Sequence, residues 1–177
     1  MLWDTWDRNF KAPFGALKIS QNATIKVKVN KNFNVYSIKL IIEKEDENLK
    51  PVIVRELDLK QVSEYNDIRE YSVEIAPLQT PAVYYYFFVV ELNIYGEDRT
   101  LFYGKTHNNG MACEYTYENL NKYQLTVYED YKVPSWFKEG ILYHVFVDRF
   151  NNGNRNGKVD NPKKNSFLYG NWDDEPM

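Results

Sequence analysis

The sequence predicts a mainly β protein in two parts: an immunoglobulin-like antiparallel β-sandwich over residues 1–130, then a second domain that begins after a linker over residues 131–140. Three observations lead to this prediction. Apolar and polar residues alternate through most of the first part, which is the period of a half-buried strand. No segment before Pro134 shows a long helical period. After residue 140, a continuous apolar run replaces the alternation, as in strands buried on both faces of a parallel sheet.

The strands predicted for the sandwich are short segments bounded by turns. The clearest is residues 24–29, where Ile25, Val27 and Val29 share one face. The most apolar is residues 83–94, which we expect to be covered on both faces or to be central in the sandwich. Seven or eight such strands over about 130 residues favour an immunoglobulin-like arrangement. In order, the predicted segments are residues 16–19, 24–29, 34–43, 51–59, 70–75, 83–94, 99–104 and 123–128.

The composition excludes several classes of protein. Of the 177 residues, 44% are hydrophobic and 27% are charged, which suits a globular chain with one core. The net charge of -3 argues against a nucleic-acid partner, and no apolar run reaches the ~18 residues that span a bilayer. The first residues do not form a secretory signal, and the single cysteine, Cys113, allows no internal disulfide. We therefore expect a cytoplasmic protein without a membrane partner.

One polar loop near the end of the chain has the pattern of a metal site. Its oxygen-bearing side chains recur at alternate positions, and Gly157 permits a tight turn. Hard cations such as calcium bind oxygen ligands from loops of this kind, although Lys163 stands where an EF-hand would need its closing Glu. A weak calcium site and a polar turn that needs no ion both remain open. The candidate metal ligands are Asn152, Asn154, Asn156 and Asp160.

Several aromatic residues have both a functional and a structural interpretation. Trp3 and Trp6 could stack on sugar rings, or they could cover the edge of the sandwich, which we favour. His144 lies within the apolar run, and we expect it to be a packed residue rather than a catalyst. The side chains of residues 84–86 alternate between faces of a strand, so these three tyrosines cannot form one sugar platform.

Residues 133–154 resemble the beginning of the catalytic barrel in the α-amylase family, glycoside hydrolase family 13. They read Val-Pro-Ser-Trp-Phe-Lys-Glu-Gly-Ile-Leu-Tyr-His-Val-Phe-Val-Asp-Arg-Phe-Asn-Asn-Gly-Asn. This is similar to the Pro-x-Trp linker, the Tyr-Gln-Ile-Phe-Pro-Asp-Arg-Phe strand and the Asn-Gly loop of neopullulanases, cyclomaltodextrinases and maltogenic amylases. His144 and Val147 replace the usual Gln and Pro. Residues 166–172 are similar to the family's Phe-Tyr-Gly-Gly-Asp segment but depart at Asn171 and Trp172.

The resemblance implies that residues 141–177 hold the first strand, Ile141–Val147, and the first loop of a truncated (β/α)8 barrel. It also implies a retaining glycosidase that acts on α-glucosidic bonds of maltodextrin, cyclodextrin or pullulan, with an Asp nucleophile and a Glu acid–base. In the family these residues lie on barrel strands four, five and seven. We therefore expect this chain to hold no catalytic and no cofactor-binding residue, and to be inactive alone.

The resemblance also bears on metal and partners. The family's loop after the first strand binds calcium, and Asn152 and Asn154 match its first two ligand positions, while Asp160 could replace a later one. An α-glucan oligosaccharide and a homodimer are the implied partners. The alternative is that the sandwich is a stand-alone carbohydrate-binding or dimerisation module.

Overall fold

The computed structural model describes residues 1–146, 151, 153–156, 158–159 and 161–165. Strands dominate this part of the chain, so the prediction of a mainly β protein is confirmed. The strands are β1 (Lys11–Ala12), β2 (Leu17–Lys18), β3 (Ala23–Asn30), β4 (Asn34–Glu45), β5 (Pro51–Asp58), β6 (Lys60–Tyr65), β7 (Ile68–Ile75), β8 (Ala82–Ile94), β9 (Glu97–Lys105), β10 (Ala112–Tyr115) and β11 (Tyr123–Tyr128). A 3-10 helix spans Tyr117–Asn119 and an α-helix, α1, spans Ser135–Glu139.

The chain divides into two compact units, one from Met1 to Asp130 and one that begins at Tyr131. All the strands named above lie in the first unit. The segment predicted as a linker contains α1, which Pro134 precedes and Gly140 follows, the order that helix ends favour. Residues 141–146 are neither helical nor paired in a sheet, and the barrel that we expect to begin there stays a prediction. Among the described residues, no helix has the length and apolar character needed to span a bilayer.

The smaller sheet has four antiparallel strands in the order β1–β3–β7–β6. Its regular part is the pairing of β3 with β7, in which Ile25 lies opposite Val73 and Val27 lies opposite Tyr71. Alternate residues of β3 are buried. The predicted apolar face of Ile25, Val27 and Val29 is therefore confirmed.

The larger sheet has seven strands with β8 at its centre. On one edge, β8 pairs with β4, and β4 pairs in turn with β5. On the other edge, residues 82–86 of β8 pair with β11 and residues 88–94 pair with β9. Beyond these two strands, β2 pairs with β11 and β10 pairs with β9. Only β2 is parallel to its neighbour, β11, so the prediction of an antiparallel sandwich is wrong at this pair. The reason is that residues 13–16 carry the chain from the smaller sheet to the larger one, and β2 reaches the edge in the direction of β11.

The two sheets bury one face each in a shared hydrophobic core, as in a β-sandwich. At one end of this core the Trp3 ring is fully buried. It makes edge contacts with four other aromatic rings, and each pair of this geometry contributes about 0.5–1.5 kcal/mol beyond the area it buries. The rings around Trp3 belong to Phe10, Tyr86, Phe88 and Tyr123.

The strand β8 is apolar on both faces because both faces are covered, as its composition predicts. Phe88 points into the core, whereas Phe87, on the opposite face, is also only 2% exposed. The Phe87 ring is covered by the Tyr117 ring at 6.3 Å and by the Lys122 ammonium at 5.6 Å. The segment between β10 and β11 thus packs on the outer face of the larger sheet.

Candidate functional site

Two of the four predicted metal ligands lie in the described part of the polar loop, and both contact the backbone of Lys158. The side-chain amide of Asn154 donates to the Lys158 carbonyl oxygen at 2.6 Å. The side-chain oxygen of Asn156 accepts from the Lys158 N–H at 3.0 Å. Asn152 and Asp160 lie outside the described residues. The described side chains therefore stabilise a turn.

This pair by itself does not fit a calcium ion. Calcium takes six to eight oxygen ligands, usually with several carboxylates. Asn154 and Asn156 are both neutral. Within the described residues, no group of three or more His, Cys, Asp or Glu side chains is placed to hold a metal. The charged candidate is Asp160, so calcium binding stays a prediction that depends on that residue.

The large apolar side chains of the segment Ile141–Phe146 are exposed to solvent. The exposed fractions are 98% for Ile141, 81% for Leu142, 74% for Tyr143 and 64% for Phe146. Each large apolar side chain left in water forgoes about 1.5–3 kcal/mol of burial free energy. Contiguous exposed apolar residues mark a surface that contacts another part of a protein. The His144 ring lies 4.8 Å from the Phe146 ring, but the His144 side chain is itself exposed, so its packing inside a barrel stays a prediction.

The two N-terminal tryptophans have different environments. Trp6 is 60% exposed and remains available for a sugar ring, whereas Trp3 is fully buried and does not form a sugar platform. The structural interpretation therefore fits Trp3, because the residues around it bond to β3 of the smaller sheet and to β10 at the edge of the larger one. The Leu2 N–H donates to the Lys28 carbonyl at 2.7 Å, and the Ala112 N–H donates to the Trp3 carbonyl at 2.8 Å.

A polar and aromatic group at the β8–β9 turn escaped the sequence analysis. The Tyr36 hydroxyl donates to the Asp98 carboxylate at 3.0 Å, and the Asn93 side-chain amide donates to the same oxygen at 2.7 Å. Tyr95, at the tip of the turn, is fully exposed and has a positive φ of 53°. Only the turn itself, residues 95–98, was visible in the sequence, because Tyr36 belongs to a distant strand that β-pairing brings alongside.

The electrostatics of this group follow from its hydrogen bonds. The Asn93 amide, with the Tyr36 hydroxyl, lowers the pKa of Asp98 below its ordinary value. The same hydrogen bond to Asp98 raises the pKa of the Tyr36 hydroxyl. Asp98 is therefore a carboxylate at neutral pH that is held by Tyr36, whose ring is exposed, and it follows the exposed Tyr95 by three residues in the β8–β9 turn. Flat rings with adjacent hydrogen-bonding groups are suited to contact the faces and hydroxyl groups of sugars.

No protein-family model matches this chain. Two solved structures align with 87% of it: a type III pullulan hydrolase from Thermococcus kodakarensis, at 16% identity, TM-score 0.43 and 21% of that chain, and a cyclomaltodextrinase, at 15% identity, TM-score 0.41 and 24% of that chain.

Three amylopullulanases are similar to the chain in sequence. The protein from Thermoanaerobacterium thermosulfurigenes is 26% identical over 183 residues, which covers 98% of this chain. Those from Thermoanaerobacterium saccharolyticum and Thermoanaerobacter thermohydrosulfuricus are 25% and 29% identical, each over 85% of it. The chain spans only 9%, 11% and 10% of the lengths of these relatives. With amylopullulanases matched along most of its length, the resemblance of this chain to the α-amylase family of glycoside hydrolases is confirmed.

Proposed function

We propose that this chain is the N-terminal part of a glycoside hydrolase that cleaves α-glucosidic bonds of starch-derived glucans such as maltodextrin, cyclodextrin or pullulan. The proposal is supported by three sequence relatives named amylopullulanase, each matched along at least 85% of this chain. Those relatives are much longer than the stretch they share with it. An active site elsewhere in such a protein is therefore consistent with the absence of any assigned catalytic residue here.

The observation that carries the proposal is the exposure of residues 141–146. Residues 141–146 form neither a helix nor a strand, although their composition is that of a buried strand. A strand of a parallel barrel is buried by its neighbours on both sides and by helices outside. We assign Ile141–Phe146 to that role, and the immunoglobulin-like sandwich of residues 1–130 to the domain before the barrel.

The chemistry assigned to the whole enzyme is double displacement with retention of configuration. It needs two carboxyl groups roughly 5 Å apart across the scissile bond, one as nucleophile and one holding a proton. We place both on later barrel strands, outside this chain.

The test is to express residues 1–177 and, separately, the same protein continued with the residues that its gene encodes after Met177. We expect the longer protein to release reducing sugar from pullulan, maltodextrin or β-cyclodextrin, and the shorter one to release none. Proton NMR of the first product should show the α-anomer, as retention requires. A reading frame that closes at Met177, or a longer protein that leaves all three substrates intact, would refute the proposal.

A second candidate function is that the sandwich itself holds a glucan. The specific observation in its favour is the group of Tyr36, Tyr95 and Asp98, with its exposed rings and fixed carboxylate. We expect Tyr95→Ala to weaken the binding of β-cyclodextrin, measured by calorimetric titration. Tyr65→Ala is the matched control, because Tyr65 is 77% exposed but lies on β6 of the other sheet. Equal binding by both variants would exclude this site.

A homodimer and a cytoplasmic location complete the proposal. Sedimentation of the purified protein tests the first and cell fractionation tests the second.

A further inference from the structure

A cavity of about 300 Å³ lies where the chain crosses from the smaller sheet to the larger one. Its polar lining comes from Thr5, Lys11, Gln124 and Thr126, and Phe14 forms an apolar wall. None of the lining residues is acidic. The outward face of β11 therefore meets the loop after β1 around a pocket whose only charged lining group is an ammonium.

The lysine in this wall is unusual in its burial. Lys11 is only 6% exposed, and its ammonium donates to the backbone carbonyl of Gly15. Within the described residues, Lys11 takes part in no ion pair. A buried ammonium is costly unless it is paired with a negative group. Burial lowers the pKa of Lys11, which is the direction expected without a nearby carboxylate.

A second cation, Arg8, lies near Phe14, although Arg8 itself does not line the cavity. The Arg8 guanidinium carbon is 5.4 Å from the centroid of the Phe14 ring. Phe14 therefore has the Arg8 guanidinium near its ring, and it lines the same pocket as the Lys11 ammonium. The excess of positive charge favours an anion over a neutral ligand, because charge-assisted hydrogen bonds are about twice as strong as neutral ones.

The polar side chains on β11 are already oriented to take part. The side-chain amide of Gln124 donates to the Thr126 hydroxyl oxygen at 3.3 Å. That oxygen accepts a hydrogen bond, so the hydroxyl proton of Thr126 is directed elsewhere and can be donated to a ligand. Thr126 and Gln124 line the same pocket as Lys11, so donors from β1 and from β11 are available to one ligand.

We propose that this cavity is a binding site for a small oxyanion, a carboxylate or a phosphate, held by the Lys11 ammonium and by hydrogen bonds from Thr126 and Gln124. All the residues of this site belong to the first unit, and the proposal does not depend on the proposed glucan hydrolysis. Its ligand fastens the crossover between β1 and β2 to the strand β11.

The experiment follows the melting temperature of the 177-residue protein by its tryptophan fluorescence, and the amide resonances of Gly15 and Thr126 by NMR. Sodium phosphate and sodium acetate are the probes, sodium chloride at the same ionic strength is the control, and maltose is the neutral comparison. We expect one of the two oxyanions to raise the melting temperature beyond chloride and to shift both resonances. The responding probe separates a phosphate ligand from a carboxylate.

Two substitutions test which side chains hold the oxyanion. Lys11→Met should weaken the oxyanion by about tenfold or more. Thr126→Val, on the exposed face of β11, should weaken it less and gives a second readout if Lys11→Met does not fold. The proposal is overturned if neither oxyanion exceeds chloride, if Thr126→Val and Lys11→Met bind as tightly as the parent, or if maltose alone shifts the two resonances.

Discussion

The ammonium of Lys122 donates to the carboxylate of Glu43 on the face of the larger sheet that points away from the core. The Glu43 side chain is 3% exposed, and that of Lys122 is 24% exposed. Lys122 also lies over the Phe87 ring. This contact joins β4 to the segment before β11. Together with Tyr117, Lys122 buries Phe87 on the outer face of β8.

Removing one partner should be costly because the other charge stays buried. We expect Lys122→Met to lower the free energy of unfolding by about 2 kcal/mol, less than a fully buried pair would lose because Lys122 is partly exposed. Urea denaturation measures the change. The control is Lys39→Met, which breaks the ion pair between Lys39 and Glu56 at 2.7 Å on the exposed side of the same sheet. That variant should leave the free energy of unfolding nearly unchanged. Equal losses for the two substitutions would contradict the claim that Glu43 is a buried charge that depends on Lys122.

The two tryptophans near the N-terminus should respond differently to truncation. Trp3→Ala removes the ring that four aromatic neighbours contact, so we expect a loss of about 3–5 kcal/mol in the free energy of unfolding. Trp6→Ala removes a side chain that is 60% exposed, and it should change stability by less than about 0.5 kcal/mol. Thermal unfolding followed by circular dichroism compares the variants. Similar losses for both would show that Trp3 is not part of the core in solution.

The hydrogen bond from Asn93 to Asp98 should be visible as a pH dependence. Because it lowers the pKa of Asp98, the unfolded chain binds the proton more tightly than the folded one. The stabilising contribution is therefore present above about pH 4 and is lost as the pH falls through the lowered pKa. We expect Asn93→Ala to move that pKa upward, towards its ordinary value, in an NMR titration of the Asp98 side chain. An unchanged titration would show that the amide does not hold the carboxylate.

Calcium binding depends on Asp160 in our account. The other three candidate ligands are neutral amides, so we expect an affinity no tighter than about millimolar. Calcium titration by calorimetry should show weak heat for the parent chain and none for Asp160→Asn. Asp130→Asn is a charge-matched control, since Asp130 is not part of the loop and pairs with Lys18 at 2.6 Å. Heat that survives Asp160→Asn would place the ion elsewhere.

Several strands that the sequence predicts correctly have one buried face. The segment predicted at residues 24–29 lies in β3, and the segment at 123–128 coincides with β11, because alternate side chains of both strands fill the core. The apolar run of residues 83–94 identified the central strand, since only a strand with two neighbours and two covers is apolar on both faces.

The strands that the sequence does not reveal lie at the edges. All six residues of β6 are exposed, so their side chains have no period that burial would impose. The four residues of β10 and the two of β1 are too short to carry a pattern. The parallel pairing of β2 also escapes prediction, because it depends on how the chain passes between the sheets rather than on any local residue.

Of the candidate sites, one could be found from the sequence and two could not. The polar loop could be found from its spacing of Asn residues alone. The Tyr36–Asp98 contact and the pocket of Lys11 could not, because each joins residues from strands that are distant in the sequence. Lys11 reads as an ordinary surface residue until the fold places it under the crossover between the sheets.

Hydrogen exchange at the amides of Ile141, Leu142 and Phe146 is the most direct test of the central claim, that this segment is a barrel strand whose neighbours lie outside the chain. In the 177-residue protein these amides should exchange rapidly, whereas the Ile25 amide in β3 should be protected. In the protein continued beyond Met177, we predict that all three become as protected as Ile25. Rapid exchange at residues 141–146 in the longer protein would contradict the claim.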